Sequence, residues 1–149
     1  MPNDYPEAEA VDIVELISSM LAELVSINDQ LANKEAQLTR FHSRAAPSIS
    51  IRDYLWRLNR FCSLEKSILI SVVFLVDLFC SKCPHFSLNS LTIHRFLITA
   101  ATIASKGLCD SFCSNAYYAK IGGITVHELN ILELELLEQV DFRIVPRPE

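Results

Sequence analysis

Glycine is scarce: the 149-residue chain has three, Gly107, Gly122 and Gly123. A β-sandwich or barrel needs glycine in its many turns, and a nucleotide-binding fold needs it in a phosphate loop, so long helices with short connections fit best. Basic residues are outnumbered, 13 against 18 acids for a net charge of −5, which argues against a nucleic-acid surface. A run of membrane-spanning length is missing too. The most apolar stretch, Ile68–Cys80, is too short to cross a bilayer and carries Asp77. No basic leader opens the chain, because Glu7, Glu9, Asp12 and Glu15 surround its first apolar residues. The five cysteines, an odd number, then point to free thiols in a reducing compartment, the cytoplasm or the nucleus.

Catalytic patterns are also absent. His42, His85, His94 and His127 have no companions that spell a triad, and there is neither a G-x-S-x-G elbow nor a P-loop. Cys80-x-x-Cys83 with His85, Cys109 and Cys113 is the one candidate zinc set. Cys80 closes an apolar helix, where cysteine behaves as a small core residue, and Cys109 and Cys113 form no Cys-x-x-Cys knuckle. Structural cysteines are therefore expected, with no metal, cofactor or small-molecule substrate. Nor is a thioredoxin-like redox role, whose βαβ setting is missing.

Half of the residues are apolar (50%) and 21% are charged, a globular composition long enough for one domain with a real core. Helical spacing of Val11, Val14, Leu21, Leu24, Val25, Asn28 and Leu31, interrupted at Ser18, predicts a long amphipathic helix from Glu7 to about Arg40. Residues His42–Pro47 read as a linker. A compact bundle follows: Ser50–Phe61; Leu64–Ser81, capped by Ser63 and apolar nearly all round, hence central; and a helix from Asn89 or Ser90 to Lys106, stopped by Gly107. Ala100, Ala101 and Ala104 give that last helix a small-residue face for close approach. A short helix is expected over Ser111–Ala119. Thr125-x-x-Glu128 is a capping box opening a final helix to about Val140.

On a helical wheel Val126, Leu129, Leu132, Leu136, Leu137 and Val140 share one arc, and Glu133 falls inside it. A carboxylate is seldom buried unpaired. Glu133 is therefore either paired within the chain, Lys106 being an available cation, or placed to meet another molecule. Ile131 and Leu134 are the converse, apolar residues on the polar side. With no catalytic pattern, these features point to a protein that works by binding another protein.

DYLWRL (Asp53–Leu58), VFLVDLF (Val73–Phe79), IHRFLITAATIASK (Ile93–Lys106) and HELNILELELLEQVDFRI (His127–Ile144) resemble the cyclin box in order and spacing. The run KGLCDSFCSNAYYAKIGGITVHELNILE (Lys106–Glu133) is similar to the phosphate-regulation, or P/U-type, cyclins. The resemblance implies an all-α, five-helix cyclin fold over residues 47–146, after an N-terminal helical extension and linker over 1–46 and before a short tail at 147–149. No second cyclin fold is expected after Ile144. The implied function is regulatory: a subunit, not itself an enzyme, that binds and activates a cyclin-dependent Ser/Thr kinase in cell-cycle or phosphate signalling. The implied kinase contacts are Lys106 and Glu133 beside the kinase αC helix, Asp110 on an activation-segment arginine, and Arg95. The family's arginine–aspartate pair would join Asp77 to Arg52 or Arg57. PSISI (Pro47–Ile51) stands where mitotic cyclins carry a substrate-docking segment, so docking of that kind is not expected. The alternative is a cyclin-fold scaffold or adaptor without kinase activation. The N-terminal helix has three possible roles: packing on the box, extending the kinase interface, or self-association.

Overall fold

A computed structural model describes residues 5–31, 39–43, 45–62, 64–84, 86–108 and 113–140. Among them are six helices and no strand: α1 (Tyr5–Leu31), α2 (Ile51–Cys62), α3 (Lys66–Lys82), α4 (Ile93–Leu108), α5 (Asn115–Gly122) and α6 (Val126–Gln139).

The buried helix is α4. Every residue from Ile93 to Ser105 is buried except Arg95, whereas α3, expected to be central, exposes Lys66, Ser67, Ile70 and Asp77. The reason is residue size. Ala100, Ala101 and Ala104, each at most 1% exposed, leave room for α2, α3, α5 and α6 to pack around α4. Gly122 serves the same crossing from the other side: a Cβ there would stand 2.4 Å from Ile98 Cγ1, so α5 reaches α4 only because that atom is missing. The Gly122 carbonyl accepts a buried hydrogen bond of 2.7 Å from Tyr54 Oη, tying α2 to the same point.

The helix ends differ from expectation where local hydrogen bonding wins. By Thr39 the chain has left the helix expected to reach Arg40: the Thr39 amide donates to His42 Nδ1 (2.9 Å) and the His42 amide to the Thr39 carbonyl (3.1 Å). Asn89–Thr92 is a turn rather than the start of α4, because Thr92 Oγ1 accepts from the Asn89 amide (2.8 Å) and donates to the Ser87 carbonyl (2.9 Å). Gly107 does not stop α4, which continues through Leu108. Ser114 caps α5, so that helix runs later than expected, and Glu65 precedes α3 with no side-chain cap. The Thr125–Glu128 capping box forms in both directions. Ser63, expected to cap α3, and the residues after Val140 lie outside the described residues.

Helix α1 packs on α2 and α3. It buries Val14, Ile17, Leu21 and Val25, and also Ser18, which carries the face past its polar interruption. Leu31, expected on that stripe, is 71% exposed. Glu15 binds α2 twice, accepting from Arg52 (2.7 Å) and from Trp56 Nε1 (3.0 Å), and the Arg52 guanidinium holds its carboxyl below the usual range. Arg52 is thus engaged with α1 rather than with Asp77. Asn28 Nδ2 donates to the Leu88 carbonyl at 2.8 Å.

A cluster of four phenylalanines, Phe41, Phe79, Phe86 and Phe96, joins α3, α4 and the two connections beside them, with ring centroids 4.8 to 6.1 Å apart. His94 lies on another side of α4, 4.9 Å from the Tyr54 ring, with Nε2 2.8 Å from the Ile49 carbonyl. Burial depresses its pKa from 6.5, and its buried Nδ1 has no partner, so protonation would strand an N–H. The neutral form belongs to the folded state. Its contribution is therefore complete above pH 6.5 and is lost as pH falls through the depressed folded value. Urea unfolding at about pH 7.5 and about pH 5.5 should show the chain weaker in acid, and His94→Gln should shrink the difference. An unchanged difference in the variant would assign the acid limb elsewhere.

Candidate functional site

The C-terminal turn of α4, the start of α5 and the middle of α6 meet around one carboxylate. Lys106, in the last turn of α4, sits where a cation suits the helix dipole. Its Nζ donates to Glu133 Oε1 at 2.8 Å. The second oxygen, Oε2, accepts from Asn115 Nδ2 at 2.9 Å, and the same amide nitrogen donates to Asn130 Oδ1 at 2.7 Å. The Glu133 side chain is 13% exposed and that of Lys106 31%. The intrachain pairing expected as one of two readings of Glu133 is therefore present, and it explains how a carboxylate is tolerated on this face.

The wheel is largely realised around it. Leu129, Leu132, Leu136 and Val140 are fully buried, whereas Val126, first after the cap, is 40% exposed. Leu134 and Leu108 remain exposed beside the pair in sequence, at 55% and 37%. The pair thus reaches the surface mainly through Lys106, and two exposed leucines lie near it in sequence, a composition compatible with protein binding.

Arg95 is not brought to this patch. It stands 11 residues before Lys106 on α4, about 16 Å along the axis. Its Nε donates to the Arg40 carbonyl (3.1 Å) and its Nη1 reaches Glu128 Oε2 (3.4 Å), so it holds the Thr39–Ser43 segment and the first turn of α6 to α4. Asp110 lies outside the described residues, as do His85 and Cys109 of the candidate zinc set. Among the described residues no three His, Cys, Asp or Glu side chains gather as metal ligands. Burial raises the Cys62 and Cys80 thiols to about 11, so both stay protonated near neutrality, and Cys83 Sγ donates to Gln139 Oε1 at 3.3 Å. None of the described helices is long and apolar enough to cross a membrane.

Sequence reasoning missed Asn115. The helix expected over Ser111–Ala119 placed it mid-helix, and nothing in the spacing showed that α5 starts against Glu133.

The family model described as Cyclin matches residues 11–144, a range that begins inside α1. Over 97% of the chain, 51% of residues are identical to the "Nuc-1 negative regulatory protein preg" of Neurospora crassa, of whose length the match covers 31%. Over 99% of the chain, 50% are identical to the "PHO85 cyclin PHO80" of Saccharomyces cerevisiae, with 52% of that protein covered. The chain thus spans about half, or less, of these two relatives. It also covers 70% of Cyclin-U1-1 of Arabidopsis thaliana at 35% identity. With six helices in the expected order among the described residues, a small-residue central helix and these matches, the chain belongs to the cyclin family, among its P/U-type members.

Proposed function

We propose that this chain is the regulatory subunit of a cyclin-dependent Ser/Thr kinase in phosphate signalling, and that it binds the kinase through the patch at the junction of α4 and α6. The observation that carries the reading is the part-exposed Lys106–Glu133 pair joining α4 to α6, in a chain half identical to a protein named as a PHO85 cyclin. Apolar burial supplies most of the affinity. Lys106 and Glu133 fix the register by exchanging their mutual contact for charge-assisted hydrogen bonds to the kinase. Residues 47–146 form the binding unit, with the N-terminal helix supporting it from α2 and α3.

Activation on this reading is a population shift. The cyclin binds the kinase conformation in which the αC glutamate pairs with the β3 lysine, so that conformation dominates. Asp110 then meets an arginine of the activation segment and takes the place of a phosphate. Arg95, at the other end of α4, serves the complex through a separate contact. The subunit itself performs no chemistry, needs neither metal nor cofactor, binds no nucleic acid or membrane, and acts inside the cell.

Saccharomyces cerevisiae PHO85 is the probe for this reading. The chain should co-purify with PHO85 and raise its phosphorylation of a peptide substrate. Folded protein that neither binds nor activates PHO85 would overturn the proposal, and binding without activation would leave the scaffold role. Asp110→Ala should bind nearly as well as wild type and activate less. Full activation by that variant would remove Asp110 from the mechanism.

A further inference from the structure

Glu133 is held from two sides by different elements. Lys106 of α4 takes Oε1 at 2.8 Å, and Asn115, the first residue of α5, takes Oε2 at 2.9 Å. The two holds are not equivalent. A lysine ammonium is a point charge on a flexible stem and leaves the carboxylate free to rotate, whereas an amide N–H donates along a set direction. Asn115 is itself anchored, since its Nδ2 also donates to Asn130 Oδ1 at 2.7 Å. Its orientation follows from chemistry, because Glu133 Oε2 can only accept. That orientation leaves Asn115 Oδ1 buried with no partner. A buried acceptor without a donor is unfavourable, and the first position of a helix does not require an asparagine. The side chain is thus placed for its donors.

We infer that Asn115 is a positioning residue for the kinase contact: it fixes the Glu133 carboxylate through Oε2, so that Oε1 stays aimed outward when Lys106 leaves it for the partner. The inference rests on the reading of Lys106 and Glu133 as kinase contacts. A pre-oriented carboxylate loses less rotamer freedom when the complex forms, and that difference should appear in affinity.

The test is a double-mutant cycle, with affinities of the whole chain for purified PHO85 measured by calorimetry. Asn115→Ala should weaken binding about three- to tenfold, and should cause no further loss in a Glu133→Ala background. Asn115→Asp keeps the shape and suits a helix start but cannot donate to Glu133, so it should weaken binding at least as much. Far-ultraviolet circular dichroism confirms folding of each variant. Wild-type affinity in either Asn115 variant, or an equal loss in both backgrounds, would overturn the inference while leaving Glu133 as a contact. Wild-type affinity in Glu133→Ala, or no PHO85 binding by the unaltered chain, would overturn the site reading and this inference together.

Discussion

Glu133→Ala is expected to stay folded and to bind PHO85 about 30- to 1000-fold more weakly, a loss of about 2–4 kcal/mol at a hot spot. Lys106→Ala should weaken binding to a similar degree, yet the two variants should differ in stability. Removing Glu133 frees a lysine that is already 31% exposed and can turn to water. Removing Lys106 leaves a carboxylate 13% exposed, with Asn115 as its remaining partner. Losing one partner of a part-buried pair costs more when the survivor is the less exposed of the two. Lys106→Ala should therefore melt below Glu133→Ala, by a few degrees if the difference is about 1 kcal/mol. Titration against PHO85 and thermal melts separate the two effects. If both variants bind as tightly as wild type, the α4–α6 junction is not the contact.

Phe96→Ala should cost about 3–5 kcal/mol, much of the stability of a domain this size. Phe96 is fully buried, and its ring stands 5.4 Å from Phe41, 5.3 Å from Phe79 and 6.1 Å from Phe86. No neighbour can collapse into the space without leaving its own ring contacts, so the cavity term adds to the lost transfer energy. The damage should also spread: Phe41 is the main apolar anchor of the segment before α2, and proteases should cut there before the rest unfolds. A thermal midpoint lowered by less than about 4 °C would show that the cluster is more plastic than its geometry implies.

The order of the helices was legible because apolar spacing and the Thr125–Glu128 box are local signals. Their ends were less so. Gly107 has the residue type of a stop signal, yet α4 runs on through Leu108. Thr92 delays α4 through side-chain bonds that spacing does not encode, and Thr39 stands in a turn with His42. The long apolar run of α3 invited a central placement, but size rather than hydropathy decides which helix the others surround, and alanine admits more neighbours than leucine. Within the site, Glu133 stood out as a charge in an apolar arc and Lys106 followed as its cation. Asn115 stayed hidden because its role depends on where α5 begins in space. Arg95 was visible as a residue but not as a tether, since both its partners come from distant segments.

The closed Lys106–Glu133 pair also bears on how a partner would first arrive. Opposite charges 2.8 Å apart cancel beyond a Debye length, about 8 Å at physiological ionic strength. The pair itself therefore casts almost no field into solution and adds little to the steering of a partner. Its share of the encounter rate should change little with added salt. Selectivity at this junction would then be expressed in how slowly the complex comes apart.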